Sequence, residues 1–225
     1  MTRDGLTKLM FLVWGDASLL RDPGLHQRLA AIGVRRLQVN LDDEAVAEAL
    51  RLQSSDSPVR AVVSVWTEGD VGEVATLLTA PDTTVAGWEV DERRPLDPPE
   101  REDGSRADAL ANVAVLRRPD DLDRDEWLRR WLENHTPIAI ATQATFGYLQ
   151  NIVVGAVTPD APRVDAIVEE LFPSEAMADI HAFYGSGGDD EELTRRITRL
   201  MESVATIGAD RDLDLVPTSR YLYAL

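Results

Sequence analysis

One order of elements occurs twice along this chain, and few folds accommodate that. In the first half, Lys8–Gly15 is a short run of strand formers, and Leu25–Ile32 carries apolar residues at helical spacing up to Gly33. Val34–Leu41 reads as a second strand, valine-dense Pro58–Trp66 as a third, Val71–Leu78 as a second helix and Val85–Val90 as a closing strand. The second half repeats the order with Asn112–Leu116, Asp125–Asn134, Phe146–Val154 and Arg163–Phe172. A helical region then starts at Ser174, breaks at Gly185–Gly188 and resumes over Asp190–Ala205, before a final strand, Leu213–Leu225. Each half is β-α-β-β-α-β, the ferredoxin-like unit of an α+β fold. Two local matches in the same order support a duplication: Arg36–Asn40 against Gly147–Asn151, and Ser57–Val63 against Ala161–Ile167.

Between residues 1–94 and 111–225, residues 95–110 hold prolines, a glycine and charges with little to bury, and are expected to form an exposed linker. About fifteen residues of extended chain span several tens of ångströms, enough to join two packed units. At 225 residues and 44% hydrophobic content the chain can bury one large core or two smaller ones. Its 40 acidic against 23 basic residues, net −17, repel a phosphate backbone and argue against nucleic acid as a partner. Lys8 is the only lysine, which leaves little room for Schiff-base chemistry. The absence of cysteine excludes disulfides, thiol nucleophiles and cysteine-held clusters. No apolar run is long enough to span a bilayer, and Met1–Lys8 lacks a signal-peptide core, so a soluble cytoplasmic protein is expected.

The most informative stretch is Arg117–Asn151, RRPDDLDRDEWLRRWLENHTPIAIATQATFGYLQN. Asp123 stands three residues before Glu126, a capping-box arrangement that starts a helix. Trp127, Trp131 and His135 follow at i, i+4 and i+8 and share one helix face, and Pro137 predicts that the helix is ending. This segment resembles the EthD family of dimeric α+β barrel proteins. The resemblance rests on a strand ending in Arg, a turn, an aromatic residue, Trp-x-x-x-His and a nearby Pro. It continues in Tyr148, Gln150 and Asn151 on the next strand, and in the Asp165-led apolar run Val164–Val168. It spans roughly Ala111 to Leu225. It implies two ferredoxin-like units fused in one chain as an intramolecular α+β barrel pseudo-dimer, with the first half, which lacks Trp-x-x-x-His, as a partner with a degenerate site.

The resemblance places His135 over the cleft between helix and sheet, where an imidazole can move a proton near neutral pH. It makes His135, Asp165 and Tyr148 the catalytic candidates, with Asp165 holding the histidine tautomer. Trp127, Trp131, Asn151, Phe183 and Tyr184 are the substrate-binding candidates. Packing of the tryptophans, an ordinary strand role for Tyr148 and a helix end at Phe183–Tyr184 are the plainer readings. The scattered His26, His135 and His181 form no metal-ligand spacing, and neither a phosphate loop nor a Gly-x-Ser-x-Gly elbow is present. The reading calls for no cofactor and no metal, although related barrels bind haem through a histidine. Function is then expected to be histidine-mediated proton transfer of lyase, dehydratase or cyclase type on a small apolar, aromatic or polyketide-like molecule. A cofactor-independent oxygenase and a non-catalytic binding protein are the alternatives. The expected partners are the small molecule and a second copy in a homodimer of pseudo-dimers, without a membrane.

Overall fold

Side chains alternate in direction along strands that are apolar nearly throughout, so each sheet has two apolar faces and the chain must cover both. The computed structural model describes residues 5–54 and 57–225; residues 1–4 of the Met1–Lys8 reading lie outside the described residues. The first unit comprises β1 (Thr7–Gly15), α1 (Pro23–Ala31), β2 (Val34–Leu41), β3 (Ala61–Thr67), α2 (Val71–Leu78) and β4 (Thr83–Leu96). After β5 (Asp103–Arg106), the second unit has β6 (Leu110–Leu116), a long helix built of α3 (Arg124–Arg129), a π-helical turn (Arg130–His135) and α4 (Thr136–Thr142), and β7 (Gly147–Ala156). It finishes with β8 (Ala166–Phe172), α5 (Ile180–Tyr184), α6 (Asp190–Thr206) and β9 (Asp214–Ala224).

The strands run in the order β2-β3-β1-β4-β7-β8-β6-β9, and β9 returns to pair with β2, so the two four-stranded sheets close into one barrel. Closure leaves no long unpaired edge in this ring. On β1, Leu9, Phe11 and Val13 face outward against Leu25 and Leu29 of α1 and Val74 and Leu78 of α2. Met10 and Leu12 face inward, where they meet Trp88, Val113, Ile167 and Val216 from both units. The helices cover the outside, and the sheets pack face to face inside. This is an α+β barrel pseudo-dimer within one chain.

Two expectations need correction. The closing strand runs well beyond Val90, because Val90–Leu96 pairs with β7 of the other unit. The stretch read as an exposed linker is partly built into the barrel: β5 pairs with β9, Pro98 is buried, and Glu100 receives Arg36, Arg94 at 3.0 Å and Arg220 at 3.0 Å. Its polar composition reflects attachment through ion pairs, which hydropathy does not register. Those three arginines overcome the effect of burial and hold the Glu100 carboxyl at about 2.

The lone lysine is at the centre of the barrel. Lys8, 1% exposed, donates to Glu92 at 2.8 Å and Asn151 at 2.8 Å and lies 3.4 Å from Glu169. Gln38 donates to Glu169 and to Asn40 at 2.7 Å, and Asn40 donates to Thr218 at 2.9 Å. Burial disfavours the Glu169 charge, yet Lys8, Arg220 and the Gln38 amide hold its pKa below the usual carboxylate range. This network joins side chains of both units in the layer between the sheets.

Candidate functional site

The helix over the second sheet starts as its sequence suggests and continues where it was expected to stop. Asp123 caps it by accepting from the amides of Asp125 at 2.9 Å and Glu126 at 3.3 Å. The Glu126 carboxylate binds Arg129 and Arg130, so the reciprocal half of the capping box is absent. Pro137 does not end the helix, which runs on to Thr142. The π-turn explains this: Thr136 N–H bonds back to Trp131 O, one residue further than in an α-helix, and the widened turn accommodates a residue that has no amide hydrogen.

That turn suspends Trp131 and His135 over the outer face of the second sheet. Between them lies a cavity of about 450 Å³. Its floor is the sheet, through Asn112, Ala114, Tyr148, Val168 and Glu170. Trp131, His135, Phe183, Tyr184, Leu200 and Val204 wall it from the helices. Phe183 is fixed by stacking on Phe172 at 4.2 Å between ring centroids. α5 ends at Gly185, whose φ of 64° is the left-handed conformation of a helix C-terminus.

Of the residues singled out from the sequence, His135, Tyr148, Trp131, Phe183 and Tyr184 line this cavity. Three others do not. Trp127 packs against Trp131 at 5.3 Å and donates to Ile207 O at 3.0 Å, outside the lining. Asn151 points into the barrel toward Lys8 and Glu169, since it is three residues from Tyr148 and successive strand side chains alternate. Asp165 does not support His135: it accepts from Arg118 N at 2.9 Å and Arg163 Nε at 3.1 Å. The partner of His135 Nδ1 is Ser203 Oγ on α6, at 3.0 Å. Burial lowers the His135 pKa to about 4, so the imidazole is uncharged in the neutral range.

Glu170 was missed. It is 9% exposed, lines the cavity, and has no hydrogen-bond or ion-pair partner among the described residues. Desolvation raises its carboxyl to about 7. Register places it between Asn112 on β6 and Tyr148 on β7, forming a polar row across the sheet. Burial and the Glu170 charge both raise the Tyr148 pKa, so its hydroxyl stays a neutral donor, beside Trp131 and Thr136. The Asn112 carbonyl oxygen is buried and unpartnered. Among the described residues no three His, Cys, Asp or Glu side chains converge as a metal-ligand set.

The first unit provides an internal comparison. There the same register row is Leu37–Val65–Leu9, all buried and apolar. One row further, Phe11 stands where the second unit has Ala114, each opposite a valine of the adjacent strand. In the first unit the apolar row and Phe11 belong to the buried core beneath α1 and α2. In the second unit the polar row and Ala114 line the cavity. The register aligns Asn40 with Asn151 as the sequence suggested, but aligns Val62 with Ile167, shifting the second local match by one residue. Such a slip exchanges the two faces of a strand.

Trp131 is fully buried between the helix and this row. Trp131→Ala is expected to cost about 3–5 kcal/mol, the range for deleting a large buried aromatic. Urea unfolding measures this, and an unchanged midpoint would show that the indole carries no packing.

Among curated proteins no sequence matches this chain. Residues 119–193, from the turn before α3 into the start of α6, match the EthD domain family. In solved structures the chain is similar to an anthrone oxidase-like protein, with a TM-score of 0.57, 10% identity and coverage of 99% of this chain and 94% of that one. A proposed monooxygenase of Lactobacillus acidophilus NCFM aligns at TM-score 0.47 and 10% identity, over 97% of this chain and 95% of that one. Among the described residues no helix is long and apolar enough to cross a membrane. Residues 119–193 thus carry the likeness to the EthD domain family, and the whole chain shares the fold of a dimeric α+β barrel, closed here within one polypeptide.

Proposed function

We propose that the cavity binds a small, largely apolar molecule bearing one weakly acidic proton, and that Glu170 removes or returns that proton. The observation that carries this reading is the unpartnered Glu170 carboxyl, buried at the floor of an apolar cavity with a pKa of about 7. A base with such a pKa is matched to work near neutrality. The Glu170 carboxylate takes a proton from substrate carbon or hydroxyl, and the electron pair remains on the substrate as an enolate or phenolate. The Tyr148 hydroxyl and the Asn112 amide flank Glu170 and supply donors for the resulting oxyanion. Neutral His135, braced by Ser203, offers a hydrogen bond at the opposite wall and is not the titrating base. Expulsion of a leaving group from that anion is a lyase or dehydratase step; its attack within the same molecule is a cyclisation. In either case protonated Glu170 can return the proton.

A second reading shares the first step. The fold is similar to that of an anthrone oxidase-like protein, and a deprotonated electron-rich aromatic can itself react with oxygen, as a cofactor-independent oxygenase requires. Label from ¹⁸O₂ in the product separates the two.

The test is deuterium exchange. A panel of hydroxyaromatic ketones and β-dicarbonyl compounds is incubated with the protein in D₂O, and loss of the acidic C–H is followed by NMR. Exchange is expected to rise with pH through an apparent pKa near 7 and to fall about 10²–10⁴-fold in Glu170→Gln, the usual contribution of a general base. His135→Gln is expected to lose less. Equal exchange in Glu170→Gln and wild type would remove the assignment.

A further inference from the structure

The loop between β2 and β3 belongs to the first unit, yet its middle lies over the second unit's cavity. Leu52 N donates to Leu215 O at 3.0 Å and Leu215 N to Leu52 O at 2.8 Å, fastening the loop to β9. Ser54 adds bonds from its amide at 2.6 Å and its hydroxyl at 2.9 Å to Asp214, which Arg117 also holds at 2.7 Å. At the loop's base, Asp42 pairs with Arg51 at 2.7 Å and Arg60 at 2.8 Å.

The equivalent loop of the second unit, after β7, does the same to the first unit. Val157 N donates to Gly87 O at 2.8 Å, and Gly87 N to Thr158 Oγ1 at 2.9 Å. Gly87 lies opposite Phe11 as Leu215 lies opposite Ala114, so Val157 and Leu52 occupy matching positions in the two halves. Val157 packs into the first unit's outer core. Leu52 has no such core to enter, because the space beneath it is the cavity. It stays 44% exposed at the cavity mouth, beside Leu50 at 69% and Met201 of α6 at 47%. These are three of the five large hydrophobic side chains that stand exposed among the described residues. Apolar side chains gathered around one opening mark a surface that is covered in use.

We infer that Leu50 and Leu52 of the first unit, with Met201, are specificity-determining residues that bind the distal apolar part of the second unit's substrate. The inference rests on the proton-transfer reading for the other end of the molecule. The substrate class that follows is amphipathic: an acidic hydroxyl or carbonyl-activated head at Asn112, Glu170 and Tyr148, and an apolar ring or chain long enough to reach the rim. The first unit is then part of the binding site, and the two halves form one functional site between them.

Calorimetric titration with 4-alkylphenols from ethyl to octyl tests this, because the head stays constant while the tail grows. Wild-type affinity is expected to rise about three- to fourfold for each methylene that reaches the rim, the transfer value of a methylene expressed as an equilibrium constant. In the Leu50→Ser, Leu52→Ser double variant the rise for the longer members is expected to fall below about twofold per methylene, with 4-ethylphenol binding unchanged. Both side chains are exposed and the Leu52 hydrogen bonds are main-chain, so the variant is expected to keep the wild-type unfolding midpoint. The same length dependence in variant and wild type, or no binding of any member, overturns the inference. A parallel titration of Glu170→Gln reads the head alone. If that variant leaves the pH dependence of binding unchanged while the rim variant removes the length dependence, the base assignment falls and the rim stands.

Discussion

Glu170→Gln is expected to gain stability relative to wild type as pH rises, by about 3 kcal/mol between pH 4 and pH 8. The fold holds this carboxyl at about 7, against 4.5 for the ordinary group. That difference corresponds to about 3 kcal/mol favouring the protonated form in the folded state. Below pH 4 the carboxyl is protonated in both folded and unfolded chains and costs nothing. Between those two pKa values the unfolded chain ionises first, so folding loses stability; above about pH 7 the penalty is complete. Glutamine cannot ionise and escapes it. Burial of the amide adds a constant offset, so the quantity to follow is the change in the difference between the two proteins with pH, from urea unfolding at several pH values. His135, with its pKa depressed to about 4, loses stability in the opposite direction, as pH falls from about 6.5, and does so in both proteins. A flat difference would mean that Glu170 is solvated or paired, and the proposed base would lose its physical basis. Improved stability together with lost exchange is the expected sign of a residue retained for chemistry at the expense of the fold.

The second large effect is expected at Lys8. Lys8→Met removes the ammonium that faces Glu92, Glu169 and Asn151 inside the barrel. It leaves Glu169 buried with Arg220 and the Gln38 and Asn151 amides as support, and no ammonium beside it. Breaking a buried ion pair by removing one partner costs about 3–5 kcal/mol. The loss falls on the layer that joins the two units, so the barrel is expected to unfold as a single cooperative transition at lower urea. Lys8→Met, Glu169→Gln is expected to recover part of the loss, because the stranded charge is then gone. If the single variant unfolds at the wild-type midpoint, the network contributes no net stability. If the double variant is no better than the single, the cost is in packing and not in charge.

Much of this protein was legible in its residues. The runs of strand formers in Lys8–Gly15 and Pro58–Trp66 and the capped helix at Asp123 are local patterns, and local patterns specify elements and their order. The Trp131–His135 spacing likewise placed both side chains on the face that roofs the cavity. Two further facts were readable and passed over. Tyr148 and Asn151 are an odd number of residues apart, so one strand could not present both to the same cleft. Glu169 and Glu170 are adjacent inside the strand AIVEELF, so one had to face the barrel and the other the helices.

The tertiary structure alone decided what those two carboxylates became. Glu169 meets Lys8 and Arg220 from strands distant in sequence and stays charged; Glu170 gains no such ion pair to offset its burial, and its pKa rises. Asp165 was drawn to Arg118 and Arg163 instead of His135, and the loop carrying Leu50 and Leu52 crossed to the other half's cavity. A pKa depends on desolvation and on charges within a few ångströms, and a cavity on which side chains meet across the sheet. Neither is written in local sequence, because each depends on groups that only the closed barrel brings together.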